Sequence, residues 1–190
     1  MALLLVRHGA TYHDLGPHPQ LDFDDTSLSA AGYRRVTQLA TGLAPFRVPV
    51  ILSTDLRRGI ETARPWATMS GSPISLQPAL RPWDRRGLIG LGEEEIGSML
   101  EANVRDPQRP LPGGGESFAQ YCDRFIPFAL AFLCAPELVG MVTHSTGVRI
   151  IAALIAKGMP LDPEVYLATP VMDPATAAIA TLTGFRPVPV

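Results

Sequence analysis

Residues Ala2 to Val6 form an unbroken apolar run that stops abruptly at Arg7-His8-Gly9. A run without polar alternation fits a strand covered on both faces, which requires helices above and below the sheet. Comparable runs recur at Val48–Leu52, Pro73–Leu76, Leu138–Val142 and Ala177–Leu182. Apolar stripes at helical spacing separate them. The first, Val36, Leu39, Ala40 and Leu43, follows an N-cap at Ser29. The second is Leu56, Ile60, Ala63 and Ala67. The third, Phe118, Tyr121, Cys122, Phe125, Ala129 and Phe132, is expected to bend at Pro127. The fourth is Val148, Ile151, Ala152 and Ile155. A short helix is expected over Glu93–Asn103, a loop over Tyr12–Thr26 and a proline-rich tail after Leu182. This alternation predicts an α/β protein, a three-layer α/β/α sandwich with a mostly parallel central sheet.

At 190 residues the chain suits a single domain spanning residues 1–190. The irregular stretch 78–116, rich in proline and glycine, reads as an inserted lid or specificity segment. A formal net charge of −2 leaves no electrostatic footprint for nucleic acid or for an anionic membrane. Nearly all the positive charge is arginine, a bias assigned to genome composition rather than to a site. Cys122 and Cys134 are expected to be free core thiols of a reducing compartment, since neither has a partner at ligand spacing. Without a signal-peptide pattern or a membrane-length apolar segment, the expected location is cytoplasmic.

A strand ending in Arg7-His8-Gly9 delivers a cation and a nucleophile to the carboxyl edge of a sheet, where ligands bind in open α/β folds. The Arg-His-Gly triplet resembles the signature of the histidine phosphatase superfamily, the relatives of phosphoglycerate mutase. Three further segments resemble that family in its own order. Ser53-Thr54-Asp55-Leu56-Arg57-Arg58-Gly59-Ile60-Glu61-Thr62-Ala63 is similar to its arginine segment and aligns Arg58 with the phosphate-binding arginine. Gly113-Gly114-Gly115-Glu116-Ser117 resembles the run before its long helix. Val142-Thr143-His144-Ser145-Thr146-Gly147 resembles its second histidine segment.

The resemblance implies a phosphoglycerate mutase-like fold and hydrolysis of a small phosphomonoester without a metal ion or other cofactor. Arg7, Arg58 and His144 would grip the phosphoryl oxygens, and His8 would carry a phosphohistidine. Gly9 would leave room for the bound phosphate. Thr11, Asp14, Trp83 and Ser145 complete the candidate substrate contacts. The partner is a small phosphorylated metabolite, and a homodimer is the assembly left open.

Three positions depart from the pattern. Where many relatives carry a glutamate acid, this chain has Pro82. Asp84, beside Trp83, is the replacement considered for protonating the leaving alcohol, against the plain alternative of pairing with Arg85 or Arg86; Glu93 and Glu116 are held in reserve. Asp14 replaces an asparagine, so the loop has shifted, the carboxyl is protonated or turned away, or it binds a cationic part of the substrate. Ser145 replaces a glycine. His13, Asp14, His18, Asp22, Asp24 and Asp25 lack tight ligand spacing and read as a solvated rim, not a metal site. The alternatives to a phosphatase are a phosphoglycerate-type mutase, disfavoured by the little spare length around the site, and a phosphate-binding scaffold with weak catalysis.

Overall fold

The structure, a computed structural model, describes residues 2–15, 23 and 25–189. Its centre is a mixed six-stranded sheet with strands β1 (Leu3–Arg7), β2 (Ile51–Ser53), β3 (Ile74–Leu76), β4 (Val139–Thr143), β5 (Ala177–Thr181) and β6 (Gly184–Pro187), in the order β3-β2-β4-β1-β5-β6. The first four run parallel; β5 is antiparallel to β1 and β6 to β5. The expected tail is therefore a closing hairpin strand. Leu182 and Thr183 make its turn, and Pro187 is tolerated because β6 lies at the sheet edge.

The apolar run of β1 explains the layering. Leu3 and Leu5 point into one core, with α4 (Phe118–Leu133) and α5 (Ser145–Lys157); Leu4 and Val6 point into the other, with α1 (Ala30–Leu43) and α2 (Arg57–Ser70). Both faces of the strand are thus buried, and the three-layer sandwich follows. Two smaller helices, α3 (Glu93–Arg105) and α6 (Pro163–Ala168), extend the first core through Ile96, Val104 and Tyr166. The sequence reading omitted α6, a six-residue helix that Asp162 caps by accepting from the Glu164 and Val165 amides.

Caps fix where the long helices begin. Ser29 accepts from the Gly32 amide ahead of α1; ahead of α4, Ser117 accepts from the Gln120 amide while the Gln120 side chain accepts from the Ser117 amide. α4 continues through Pro127 as one helix and ends at Cys134. Cys134 is exposed, and Cys122 is only partly buried, so neither is the core thiol expected. Of the stripe Leu56, Ile60, Ala63 and Ala67, Leu56 and Ala63 are buried and Ala67 packs against the core, while Ile60 is only half-buried; Arg58, Gly59, Thr62 and Trp66 complete the buried face of α2. No helix among the described residues is long and apolar enough to cross a membrane.

Candidate active site

The carboxyl ends of the three central parallel strands meet at one edge. Arg7 ends β1 and His8 follows it; Arg58 lies in the first turn of α2, after β2; His144 joins β4 to α5 as its N-cap. The β1–β4 register pairs Arg7 with Thr143, and the His8 amide continues the ladder by donating to the Thr143 carbonyl at 3.0 Å. That pairing brings His8 and His144 together, with ring centroids 4.8 Å apart and planes tilted by 59°. His8, Arg58 and His144 are all buried.

Burial sets the charge state of this cluster. Desolvation, reinforced by the cation of Arg58, pushes the His8 imidazole down to about 4, against an opposing pull from Asp14. His144 is pushed well below its ordinary value of 6.5 by burial, then by His8, Arg58 and Arg7. Both rings are therefore neutral near pH 7. His8 Nδ1 lies 2.8 Å from the Gly9 carbonyl, which can only accept. The proton thus sits on Nδ1, and the lone pair on Nε2. Among the described residues, His144 Nε2, Arg7 Nε and the Thr54 hydroxyl are buried polar atoms with no hydrogen-bond partner.

The geometry revises several expectations. A side chain on Gly9 would not crowd a phosphate: a Cβ there would lie 2.6 Å from Val36 Cγ1, on the α1 side of the sheet. Gly9 instead lets α1 close onto the strand end, and its carbonyl orients His8. Thr62, given no role by the sequence, holds Gly9: its hydroxyl accepts from the Gly9 amide at 3.0 Å and donates to the Arg58 carbonyl at 2.7 Å. Its sequence signal is its place in the Ser53–Ala63 segment that resembles the family's arginine segment.

Thr11 is fully buried, and its amide and hydroxyl both donate to Asp14 Oδ2 at 2.8 Å, so it positions Asp14. Asp14 faces Arg7. Its Oδ1 accepts from Arg7 Nη2 at 2.9 Å, and against burial, which raises it, the Thr11 hydrogen bonds and the Arg7 cation hold its carboxyl below the usual carboxylate range. Of the supposed rim residues, His18, Asp22 and Asp24 lie outside the described residues. Among those described, no group of three or more His, Cys, Asp or Glu is placed to hold a metal.

The 78–116 segment is clamped rather than loose. Glu116 Oε1 and Oε2 accept from Arg124 Nε and Nη2 at 2.8 and 2.7 Å, while Arg124 also donates to the carbonyls of Ala79, Arg81 and Pro82. Gly113, Gly114 and Gly115 all have positive φ, a conformation glycine adopts without strain, and this turn lets the Glu116 amide reach the Asp84 carbonyl at 2.9 Å. Asp84 is buried, with Oδ2 accepting from Arg86 Nη2 at 2.5 Å and Nε at 2.9 Å, the pairing weighed against an acid role. Arg81 binds Asp55 through two parallel bonds. Trp83 is buried, donates from Nε1 to the Glu116 carbonyl, and with Arg85, Ser145, Arg149 and Tyr166 lines a cavity of about 400 Å³. Leu88 belongs to the core, whereas Ile89 is exposed.

Comparison with known proteins agrees with this fold. The chain is 31% identical over 174 residues to a glucosyl-3-phosphoglycerate phosphatase of Mycolicibacterium vanbaalenii, covering 84% of this chain and 76% of that protein. It is 28% identical over 171 residues to a 2,3-bisphosphoglycerate-dependent phosphoglycerate mutase of Cytophaga hutchinsonii, covering 84% and 79%. The fold matches the native structure of a mycobacterial glucosyl-3-phosphoglycerate phosphatase with a TM-score of 0.77, at 24% identity over 98% of this chain and 95% of that one. A family model matches residues 3–186, and the chain belongs to the histidine phosphatase superfamily, branch 1.

Proposed function

We propose that this protein, a phosphatase of its superfamily, hydrolyses a small phosphomonoester through a phosphohistidine on His8, with no metal ion taking part. The observation that carries the reading is the buried His8 imidazole, oriented by the Gly9 carbonyl, packed against His144 and within electrostatic reach of Arg58 and Arg7. His8 Nε2 forms a bond to phosphorus as the bond from phosphorus to the ester oxygen breaks, and the alcohol leaves with a proton. Water then attacks phosphorus, the nitrogen–phosphorus bond breaks, and inorganic phosphate is released. Arg7, Arg58 and His144 bind the non-bridging oxygens where charge must be stabilised. Two of those groups present buried polar atoms with no partner among the described residues, Arg7 Nε, a donor, and His144 Nε2, which donates when its ring carries the proton there.

Asp84 is the proposed source of the leaving-group proton, which requires its release from the exposed side chain of Arg86. Residues 78–116 act as the specificity segment: Trp83, Arg85 and Leu100 supply one wall of the cavity that begins at Ser145, next to His144. The alcohol part of the substrate lies there, against Trp83 and Ser145. Glucosyl-3-phosphoglycerate and a monophosphoglycerate are the first compounds to test. Free phosphate from either compound supports hydrolysis; isomerisation of the monophosphoglycerate without phosphate release overturns it in favour of a mutase.

A further inference from the structure

The His8 ring takes its orientation from the Gly9 carbonyl, 2.8 Å from Nδ1, so whatever fixes the Gly9 backbone also fixes the nucleophile. We propose that Thr62 is a positioning residue for phosphoryl transfer: its hydroxyl locks the Gly9 backbone, and through it the His8 imidazole, in the attacking orientation. The inference rests on His8 as the nucleophile.

Gly9 stands where the sheet stops supporting the chain. The His8 amide donates to the Thr143 carbonyl at 3.0 Å, and the His8 carbonyl accepts from the Ala175 amide at 3.1 Å. One residue on, the Gly9 amide bonds to a side chain instead, Thr62 Oγ1 at 3.0 Å. A glycine is the residue least able to hold its own dihedral angles. A larger residue is excluded here, because a Cβ would lie 2.6 Å from Val36 Cγ1. The restraint that a side chain cannot give must therefore come from hydrogen bonds.

Thr62 suits that task. It is buried in α2, and its hydroxyl donates to the Arg58 carbonyl, one turn back, at 2.7 Å. That bond uses the single hydroxyl proton and leaves the oxygen lone pairs to accept from the Gly9 amide. Branching at Cβ restricts the rotamers open to Thr62. On the other side, the Ala10 carbonyl accepts from the Ser29 amide at 2.9 Å and from its hydroxyl at 3.0 Å. The carbonyl that orients His8 thus lies between two fixed points, one supplied by α2 and one by the cap of α1. Thr62 also ties His8 to the helix that carries Arg58. A ring released with a loose Gly9 would leave the phosphoryl-binding cations in place and lose alignment with phosphorus, which costs rate rather than affinity.

The test compares the unaltered protein with Thr62→Val, which keeps the shape and removes the hydroxyl, and with Thr62→Ser, which keeps the hydroxyl. In rapid-quench labelling from an activated aryl phosphate, Thr62→Val should slow the appearance of phosphoryl label on His8 by about tenfold to a hundredfold. Its Kd for inorganic phosphate should be unchanged. Nitrogen NMR should find the His8 proton on Nδ1 in the unaltered protein and shared between both ring nitrogens in Thr62→Val. Thr62→Ser should recover most of the rate and the single tautomer. Labelling of Thr62→Val at the unaltered rate overturns the proposal, and so does equal slowing in both variants, which would assign the loss to packing. Where Thr62→Val fails to fold, Thr62→Ala takes its place with the same expectations. A His8 proton on Nε2 in the unaltered protein overturns the proposal without any variant. Absence of label on His8 in the unaltered protein is a separate failure: it overturns the phosphohistidine, and the role of Thr62 with it.

Discussion

The imidazoles of His8 and His144, one after β1 and one after β4, meet with centroids 4.8 Å apart because the β1–β4 register aligns the two strand ends. With Arg58 beside them, each ring is easier to keep neutral than to charge. A neutral, oriented His8 is what a nitrogen nucleophile requires.

Removing the Arg58 guanidinium should cost more in chemistry than in folding. Arg58→Ala should lower kcat/KM by about 10²–10³, the effect of deleting one charge-stabilising donor group. Steady-state kinetics, with thermal melting as the control, checks it; an unchanged kcat/KM contradicts the assigned role.

Stability should fall on acidification through the two histidines. The unfolded chain binds a proton at His8 near its ordinary 6.5, the folded chain only near about 4. The unfolded state therefore takes up protons first as pH drops. The contribution is fully present above about 6.5 and is lost toward about 4, at up to about 1.4 kcal/mol per pH unit for His8. His144 acts in the same sense. Melting temperature against pH should show this slope, and His8→Asn should flatten it.

Gly9→Ala should destabilise by about 1–3 kcal/mol, because its methyl would meet Val36 at 2.6 Å and α1 would have to shift. Chemical denaturation measures it. A loss of phosphate affinity at unchanged stability would restore the expectation that Gly9 lines the phosphate.

Asp84→Asn should depend on the leaving group. An alkyl phosphate should lose about 10²–10⁴ in kcat, whereas an aryl phosphate with an acidic phenol should lose little. Equal losses for both would remove Asp84 from the acid role.

Much of this was legible in the chain because the informative signals were local. The β1 run, the Ser29 cap and the histidines that follow β1 and β4 depend only on neighbouring residues, and resemblance to the family's motifs added Arg58 and grouped these side chains as one site. What was not legible depends on contacts distant in sequence. Gly9 faces Val36 across the strand end, Thr62 reaches back to Gly9, and Arg124 ties down carbonyls of the 78–82 stretch from another helix. Asp14 was noticed as an odd residue, yet its pairing with Arg7 follows from a turn whose geometry composition does not encode. Strand β6 was hidden by prolines that an edge strand accommodates.

The most direct measurement is rapid quenching after mixing with an activated aryl phosphate, followed by mass analysis of the protein at alkaline pH, where phosphohistidine survives. One phosphoryl group on the peptide carrying His8, gone in His8→Ala and discharged to free phosphate on standing in water, is the predicted result. Turnover with the label on another residue, or with full activity in His8→Ala, would contradict it.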